Sequence, residues 1–566
     1  MSASLSRALQ SYKAGNFEQA LSHLSPLLAA GKSVPDDVLL LAAQCCAKTR
    51  QFVRAADLYT MAADRGGERH AMLRALAATM LKEASDSHAA LKSARIAARG
   101  GDFDADAQAS YRQFLHELLC LDERLMDDQR VLDRMRAGDP RYLGLETPHS
   151  HILWCADESL NARQTRIHKV KPYTDESRAA RRRHPHMFGD RIRIGYLSGD
   201  FAGQTAMMHL FQNVLLRHDR DAFDITLFCH TSDATIARDN GMRALYPNIV
   251  RMGHLSDEEA SALIRAAGID ILIDLMGHTK GARLGLINLG AAPIQAAYCG
   301  FPGSTVGIDC DYVIGDAVVT PENSRPFYHE KFCILPESYL ANDDTYRPLP
   351  EATPRVELGL PEGRIVFASF NGTKKITPAT ARLWADILLR VEDGVLWMMC
   401  ADRFARENFA TWMERACVAR NRIVFADPAE YGDHIARLRS ADIGLDTFPC
   451  NGHTTTSDKL WAGIPVPTYK GSHFAGRVSE SLLKAVDLHE LVAPDPQAYV
   501  DLCVDLAHSP QRLSALKGKL EATRRTASLF DTTRFTRHLE AGYSLMVERA
   551  KAGLEPDHID VTAIGA

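Results

Sequence analysis

The sequence predicts an all-α repeat domain followed by two Rossmann-like α/β domains, and three observations carry that expectation. Small residues recur at a spacing of 35 in the N-terminal region, at Ala20, Ala55 and Ala90. From residue 191 onward, short apolar runs alternate with amphipathic stretches. A Pro-rich segment, RPLPEATPRVELGLP at 347–361, divides that alternation into two stretches of similar length.

Residues 1–140 read as helix throughout, dominated by Ala, Leu and long charged side chains. Asn16-Phe17 precedes Ala20-Leu21, Gln51-Phe52 precedes Ala55-Ala56, and Ser87 precedes Ala90-Leu91. A small residue one turn into a helix lets antiparallel helices approach closely. Stacked helical hairpins then share one core, which is the tetratricopeptide arrangement. The third unit is degenerate and a fourth, around Leu125, is barely detectable; a non-repeating helical bundle is the alternative. Residues 141–190 form a helical and linker segment. Its part from 168 to 190 is polar and broken by Pro, and its basic run from Arg178 to His186 reads as a solvated linker.

Strand-like runs follow at 191–198, 223–229, 269–276 and 311–316, and again at 364–371, 394–400, 421–427, 441–447 and 465–469. Alternation of this kind predicts parallel sheets wrapped by helices. The two α/β halves are expected at 191–346 and 362–550, joined by a linker at 347–361. An amphipathic helix at 533–550 is expected to cross back and brace them, and 551–566 is a tail.

Composition narrows the function classes. A chain of 566 residues exceeds one core. A net charge of −5 gives no overall basic footprint, against a nucleic-acid binder. The twelve cysteines are scattered without CxxC spacing, so neither zinc nor a disulfide framework is expected, and a cytoplasmic location fits. The N-terminus is patterned as an amphipathic helix rather than a signal peptide, and no apolar run reaches the roughly 20 residues of a membrane span.

Ligands of open α/β sheets bind beyond the carboxyl ends of the strands, so the post-strand loops are the place to look. They are Gly199 to Gln204 with Asp200, Gly277 to Arg283 with His278, Gly300 to Thr305 with Pro302, and Asn371 to Pro378 with Lys375. The last is FPCNGHTTTSDKLWAGIPV at 448–466. There Asn451-Gly452 supplies a tight turn, and the Thr454–Thr456 amides fall in the first turn of a helix. Free amides, hydroxyls and the positive helix end make an anion site suited to a diphosphate. Asp458 lies one turn further, where a carboxylate can accept from ribose hydroxyls. Simple helix capping needs one hydroxyl residue, whereas Thr454, Thr455, Thr456 and Ser457 are consecutive. Lys375, just before Pro378 at a helix start, can neutralise a phosphate leaving group; an exposed surface lysine is the alternative. His149, His278 and His453 are each, singly, more often structural than catalytic. No GxGxxG or P-loop pattern is present.

Together these loops resemble the O-GlcNAc transferase/SPINDLY family of glycosyltransferases, over roughly residues 145–550. The matching stretches are GYLSGDF, DLMGHTKGAR, APIQAAYCGFPGS, FASFNGTKKITP, CNGHTTTSDKLWAGIP and a closing PDH at 556–558. The resemblance implies tetratricopeptide repeats joined to a two-Rossmann GT-B catalytic region. It implies that Lys375 contacts the donor diphosphate, that His453, Thr454 and Thr455 bind the pyrophosphate, and that Asp458 binds the ribose. His434, Arg437 and the backbone of Ala429 match positions around the nucleobase, and Gly300 and Pro302 match the sugar-pocket loop. Asp200 matches a proposed proton acceptor and His149 a histidine near the acceptor.

The implied activity is inverting, metal-independent transfer from a nucleotide sugar, UDP-GlcNAc by default, to Ser/Thr hydroxyls of a protein held by the helical domain. A flagellin or another bacterial surface protein is the expected acceptor. No prosthetic group, nucleic-acid partner or membrane insertion is expected, and homo-oligomerisation is left open. Glucosylation of Asn side chains and a non-catalytic nucleotide-binding scaffold are the alternatives. Three positions depart from the family: Gln204 replaces a histidine, Gly372 a glutamine and Tyr431 a lysine. Gln204 cannot act as a base near neutral pH, which leaves Asp200 and a water relay as candidates.

Overall fold

The computed structural model describes residues 3–29, 34–100, 103–166 and 170–563. The chain forms two compact units, residues 1–145 with 400–412, and residues 146–399 with 413–566.

The first unit contains four helix pairs: Ala3–Lys13 with Phe17–Leu28, Asp36–Lys48 with Phe52–Ala63, His70–Glu83 with Ser87–Arg99, and Ala105–Glu117 with Leu121–Arg136. The second helices begin at 17, 52, 87 and 121, and Ala20, Ala55 and Ala90 are fully buried. In the fourth pair the corresponding residue is Arg124, also fully buried, whose Nε donates to Asp128 at 3.2 Å. A charged residue at the small-residue position explains why this repeat was hard to see. The intra-pair turns use positive φ at equivalent places, Gly15 (79°), Arg50 (60°), Ser85 (63°) and Leu119 (53°). Only the first carries the glycine that would announce it.

The second unit holds two parallel sheets and a strand pair. The larger sheet comprises β1 (Ile192–Ser198), β2 (Phe223–Cys229), β3 (Ile249–Arg251), β4 (Ile271–Asp274), β5 (Ile294–Ala297), β6 (Tyr312–Asp316) and β7 (Lys331–Leu335). The smaller comprises β8 (Val366–Ser369), β9 (Val395–Met399), β10 (Ile423–Ala426) and β11 (Ile443–Gly444). β12 (Thr468–Tyr469) pairs with β13 (Val492–Ala493), and β14 (Ile559–Asp560) returns to the larger sheet. The orders are β14-β7-β6-β5-β4-β1-β2-β3 and β10-β9-β8-β11. β4, β5, β6 and β8 are buried at every residue, as strands covered on both faces must be. This is the two-Rossmann GT-B architecture. Each sheet has a switch point, with β1 between β2 and β4 and β8 between β9 and β11, which places the ligand crevices beside the loops after β1 and β8.

Two expectations change. The basic run is not a solvated linker: Asp175–Arg183 is a helix closed by a Thr174/Ser177 capping box. Arg181 is buried, bonding Asp309 Oδ2 at 2.8 Å and Asp311 Oδ1 at 2.9 Å. Buried aspartates need charge partners, and the arginines supply them. His168 of the same segment lies outside the described residues. The tail at 551–566 supplies β14, which pairs with β7. The segment at 347–361 begins with a buried arginine, Arg347, and is bonded to the second half: Arg355 Nε donates to the Ser440 carbonyl at 3.0 Å.

The C-terminal helix, Thr532–Lys551, does cross back to the first half. Tyr543 and Tyr196 share a hydroxyl–hydroxyl bond of 3.0 Å, and Glu540 Oε1 lies 3.0 Å from His218 Nδ1. Among the described residues no helix is long and apolar enough to cross a membrane.

Candidate active site

The loops after β8 and β11 meet at the switch point of the smaller sheet. The loop after β11 is shaped by Asp446, a fully buried carboxylate. Its Oδ1 accepts from the Thr447 and Gly452 amides at 2.9 and 2.7 Å, and its Oδ2 from the Thr468 hydroxyl at 2.7 Å. This holds the Asn451-Gly452 turn and aims the chain into the helix Thr454–Trp461. Gly452 is obligatory here, because a Cβ would lie 2.4 Å from Thr456 Oγ1 and 2.7 Å from Thr455 Oγ1.

The N-cap of that helix is His453, whose side chain makes no capping bond, and the amides of Thr454 and Thr455 find no acceptor among the described residues. The hydroxyls instead build the wall: Thr455 donates to Asn371 Oδ1 at 2.7 Å, and Thr456 Oγ1 lies 3.1 Å from Ser479 Oγ. The mouth of the helix is therefore lined with unspent donors and carries the positive end of its dipole.

Lys375 sits in the short turn Thr373–Lys375 after β8, and its Nζ donates to the Asn451 carbonyl at 2.5 Å. It makes no ion pair among the described residues, so no internal anion cancels its charge. Two histidines share its environment. Desolvation, then the charges of Lys375 and Lys374, push His149 down to about 4. Desolvation, then Lys375, holds His453 well below the ordinary histidine range, and its Nε2 lies 3.3 Å from the Ala475 carbonyl. Both rings are neutral near pH 7, and Lys375 is the cation at the helix mouth.

Asp458 follows one turn into the helix, 3% exposed. Its Oδ1 accepts from the Tyr431 hydroxyl at 2.9 Å and is ion-paired with Arg347 Nη2. His434 is pushed down to about 4, by desolvation first, with Asp458 opposing and Arg437 assisting. Arg437 lies over the Phe370 ring at 4.6 Å and donates to the Asp427 carbonyl at 2.6 Å. Ala429, Tyr431 and His434 line a cleft of about 1070 Å³, faced across it by Gly203, Gln204 and His209 of the first half.

The first half contributes Asp200, beyond β1. Desolvation raises its pKa, and its carboxyl has no hydrogen-bond donor or cation partner among the described residues. Gln204 is spent on structure, its Nε2 donating to the Thr235 carbonyl at 2.7 Å. Gly300 allows its loop to lie on the end of β4, since a Cβ there would sit 2.2 Å from the Leu275 carbonyl oxygen. Pro302 lines a small cavity with Ile152, Phe301 and His473. Ile152, Leu153, Phe301, Cys450 and Ala475 form an apolar cluster that joins this loop to the His149 helix and the β11 loop.

Lys375, His149, His453, Thr454 and Thr455 thus gather at one helix mouth, and Asp458, His434, Arg437 and Ala429 continue the same wall. Asp200, Gly300 and Pro302 belong to the opposing half. His278, singled out by its loop, is buried edge-on against Phe301 at 5.0 Å. Sequence reasoning missed Arg347 and His209. Arg347 was hidden inside a Pro-rich junction, and His209 in an apolar helix.

The profile of glycosyl transferase family 41 matches residues 162–350 and 345–539. The probable UDP-N-acetylglucosamine–peptide N-acetylglucosaminyltransferase SEC of Arabidopsis thaliana is 36% identical over 382 residues, covering 66% of this chain and 38% of that protein. The UDP-N-acetylglucosamine–peptide N-acetylglucosaminyltransferase of Caenorhabditis elegans is 26% identical over 486 residues, covering 66% and 42%. The chain therefore spans about two fifths of the length of these curated relatives. A solved Thermobaculum terrenum O-GlcNAc transferase mutant aligns with a TM-score of 0.68 and 26% identity, over 97% of this chain and 98% of that one.

Proposed function

Since the chain belongs to glycosyl transferase family 41, we propose that it is a nucleotide-sugar-dependent protein glycosyltransferase whose donor diphosphate binds at the mouth of the helix Thr454–Trp461. The observation that carries this reading is Lys375, without an ion-pair partner among the described residues, beside two open first-turn amides. A cation and free donors, held by buried groups and offered no internal anion, are what a diphosphate needs.

In this reading the acceptor hydroxyl oxygen attacks the anomeric carbon as the bond from that carbon to the diphosphate oxygen breaks, with inversion. The hydroxyl proton passes to Asp200, directly or through a water. Desolvation raises the affinity of this carboxylate for a proton. The nucleoside diphosphate departs with the bonding electrons, and Lys375 with the helix terminus offsets its charge, so the step is assigned without a metal. Neutral His149 and His453 contribute hydrogen bonds, and Asp458, His434, Arg437 and the Ala429 backbone hold the nucleoside. Gly300 and Pro302 border the sugar.

UDP-GlcNAc is the default donor, as in the names of the curated relatives. The acceptor is a Ser/Thr-bearing protein, with flagellin as the first candidate, held by the helical repeats in the cytoplasm.

Cells lacking the gene, complemented with wild type or Lys375→Ala, test this by glycoproteomic mass spectrometry. Wild type should restore sugar mass increments on Ser/Thr. Removal of a charged donor worth about 1.5–3 kcal/mol should slow transfer roughly 10- to 100-fold in the variant. Full restoration by Lys375→Ala would exclude the reading.

A further inference from the structure

The nucleoside end of the cleft contains a clamp on Asp458. Arg347, whose side chain has no exposed surface, reaches it from the segment that joins the two halves. Its Nη2 is ion-paired with Asp458 Oδ1, its Nη1 donates to Asn342 Oδ1 at 3.0 Å and Ser457 Oγ at 2.9 Å, and its Nε donates to the Tyr431 hydroxyl at 3.1 Å. The Tyr431 hydroxyl itself donates a hydrogen bond to the same oxygen, Asp458 Oδ1, at 2.9 Å. Tyr431 is in turn held by a face-to-face stack on His209, with ring centroids 3.7 Å apart and planes 10° from parallel. His209 comes from the helix Ala206–Arg217 of the opposing half.

Both bonds therefore converge on one carboxylate oxygen. A carboxylate with one oxygen fixed twice cannot rotate freely, and Oδ2 is the oxygen left outside the clamp. Guanidinium is suited to this task, because its planar fork places three nitrogens in a set geometry on four different partners. We propose that Arg347, acting with Tyr431, is a positioning residue for ribose recognition: it fixes Asp458 so that Oδ2 accepts from the vicinal hydroxyls of the bound nucleoside. This rests on the donor-site reading above and adds to it a residue outside the loops that contact the diphosphate. The same clamp explains how Tyr431 is accommodated beside Asp458: its hydroxyl is consumed by the carboxylate and the guanidinium, and its ring by the stack on His209.

The test compares nucleoside diphosphates carrying ribose with their 2′,3′-dideoxy forms, in the uridine, guanosine and cytidine series, by calorimetric titration. The full chain is used as wild type, Arg347→Lys and Tyr431→Phe, with pyrophosphate as a third probe. Wild type should prefer the ribose form of its cognate series by about tenfold or more, the worth of a hydrogen bond to a charged group. Arg347→Lys loses the fork and Tyr431→Phe the hydroxyl, so each should reduce that preference severalfold. Tyr431→Phe keeps every charge and should leave pyrophosphate affinity within about twofold.

A merely structural role for the clamp predicts the reverse pattern: lower thermal stability with the ribose preference intact, and that result would overturn the proposal. An absence of ribose preference in wild type would also overturn it while leaving the donor site standing. Wild type that binds no nucleoside diphosphate in any series would instead overturn the donor-site reading and this proposal with it.

Discussion

In the proposed reaction Lys375 and Asp200 divide the chemistry between them, because burial treats the two differently. Lys375 faces a helix mouth with no carboxylate paired to it among the described residues, and the nearby imidazoles of His149 and His453 are kept neutral in part by its charge. Burial raises the proton affinity of Asp200, whose carboxyl meets no cation among the described residues. A proton acceptor and a charge-neutralising group should separate kinetically. Asp200→Asn is therefore expected to lower kcat about 10²-fold or more, the usual range for general-base loss, while donor affinity changes by less than about threefold. Equal losses in kcat and donor binding would reassign Asp200 to the binding wall. Gln204 already illustrates the difference, for its amide donates to the Thr235 carbonyl and is not basic enough to take up a proton near neutral pH.

The helix Thr454–Trp461 offers an open first turn because the loop before it leaves the Thr454 and Thr455 amides without acceptors among the described residues. Asp446 holds the Gly452 amide, Asn371 takes the Thr455 hydroxyl, and the turn has no room for a side chain at Gly452. Gly452→Ala should displace the Thr455 and Thr456 hydroxyls and weaken donor binding by about tenfold, the cost of one or two hydrogen bonds. The measurement is a nucleotide titration alongside thermal unfolding. Unchanged donor affinity in a folded variant would show that the hydroxyl wall is not part of the site.

Much of this was legible from local pattern. The stretch 448–466 carries its own turn, hydroxyls and helix, and the strand at 223–229 has the same bounds in sequence and structure. What escaped the sequence depends on partners far along the chain. Arg181 reads as solvated until Asp309 and Asp311 are beside it, the fourth repeat hides because Arg124 replaces a small residue, and Arg347 gains meaning only against Asp458. β14 is two residues long and is defined by its pairing with β7 rather than by its own composition.

For the molecule as a whole, the second unit is closed by chain that returns from its far end. The helix Thr532–Lys551 and β14 both lie on the first Rossmann half, after the second half is complete. The buried Tyr543–Tyr196 and Glu540–His218 contacts hold that return in place. The two halves thereby face one cleft, with Gly203, Gln204 and His209 on one side and Ala429, Tyr431 and His434 on the other. Donor binding in that cleft should stabilise the native chain by mass action, by about 2.7 kcal/mol at a ligand concentration of 100 Kd. The most direct measurement is thermal unfolding of wild type and Lys375→Ala across UDP-, GDP- and CMP-sugars. One nucleotide series should raise the unfolding temperature of wild type and leave Lys375→Ala largely unmoved. If no series stabilises wild type, or if both proteins respond alike, the helix mouth at Thr454 is not the donor diphosphate site.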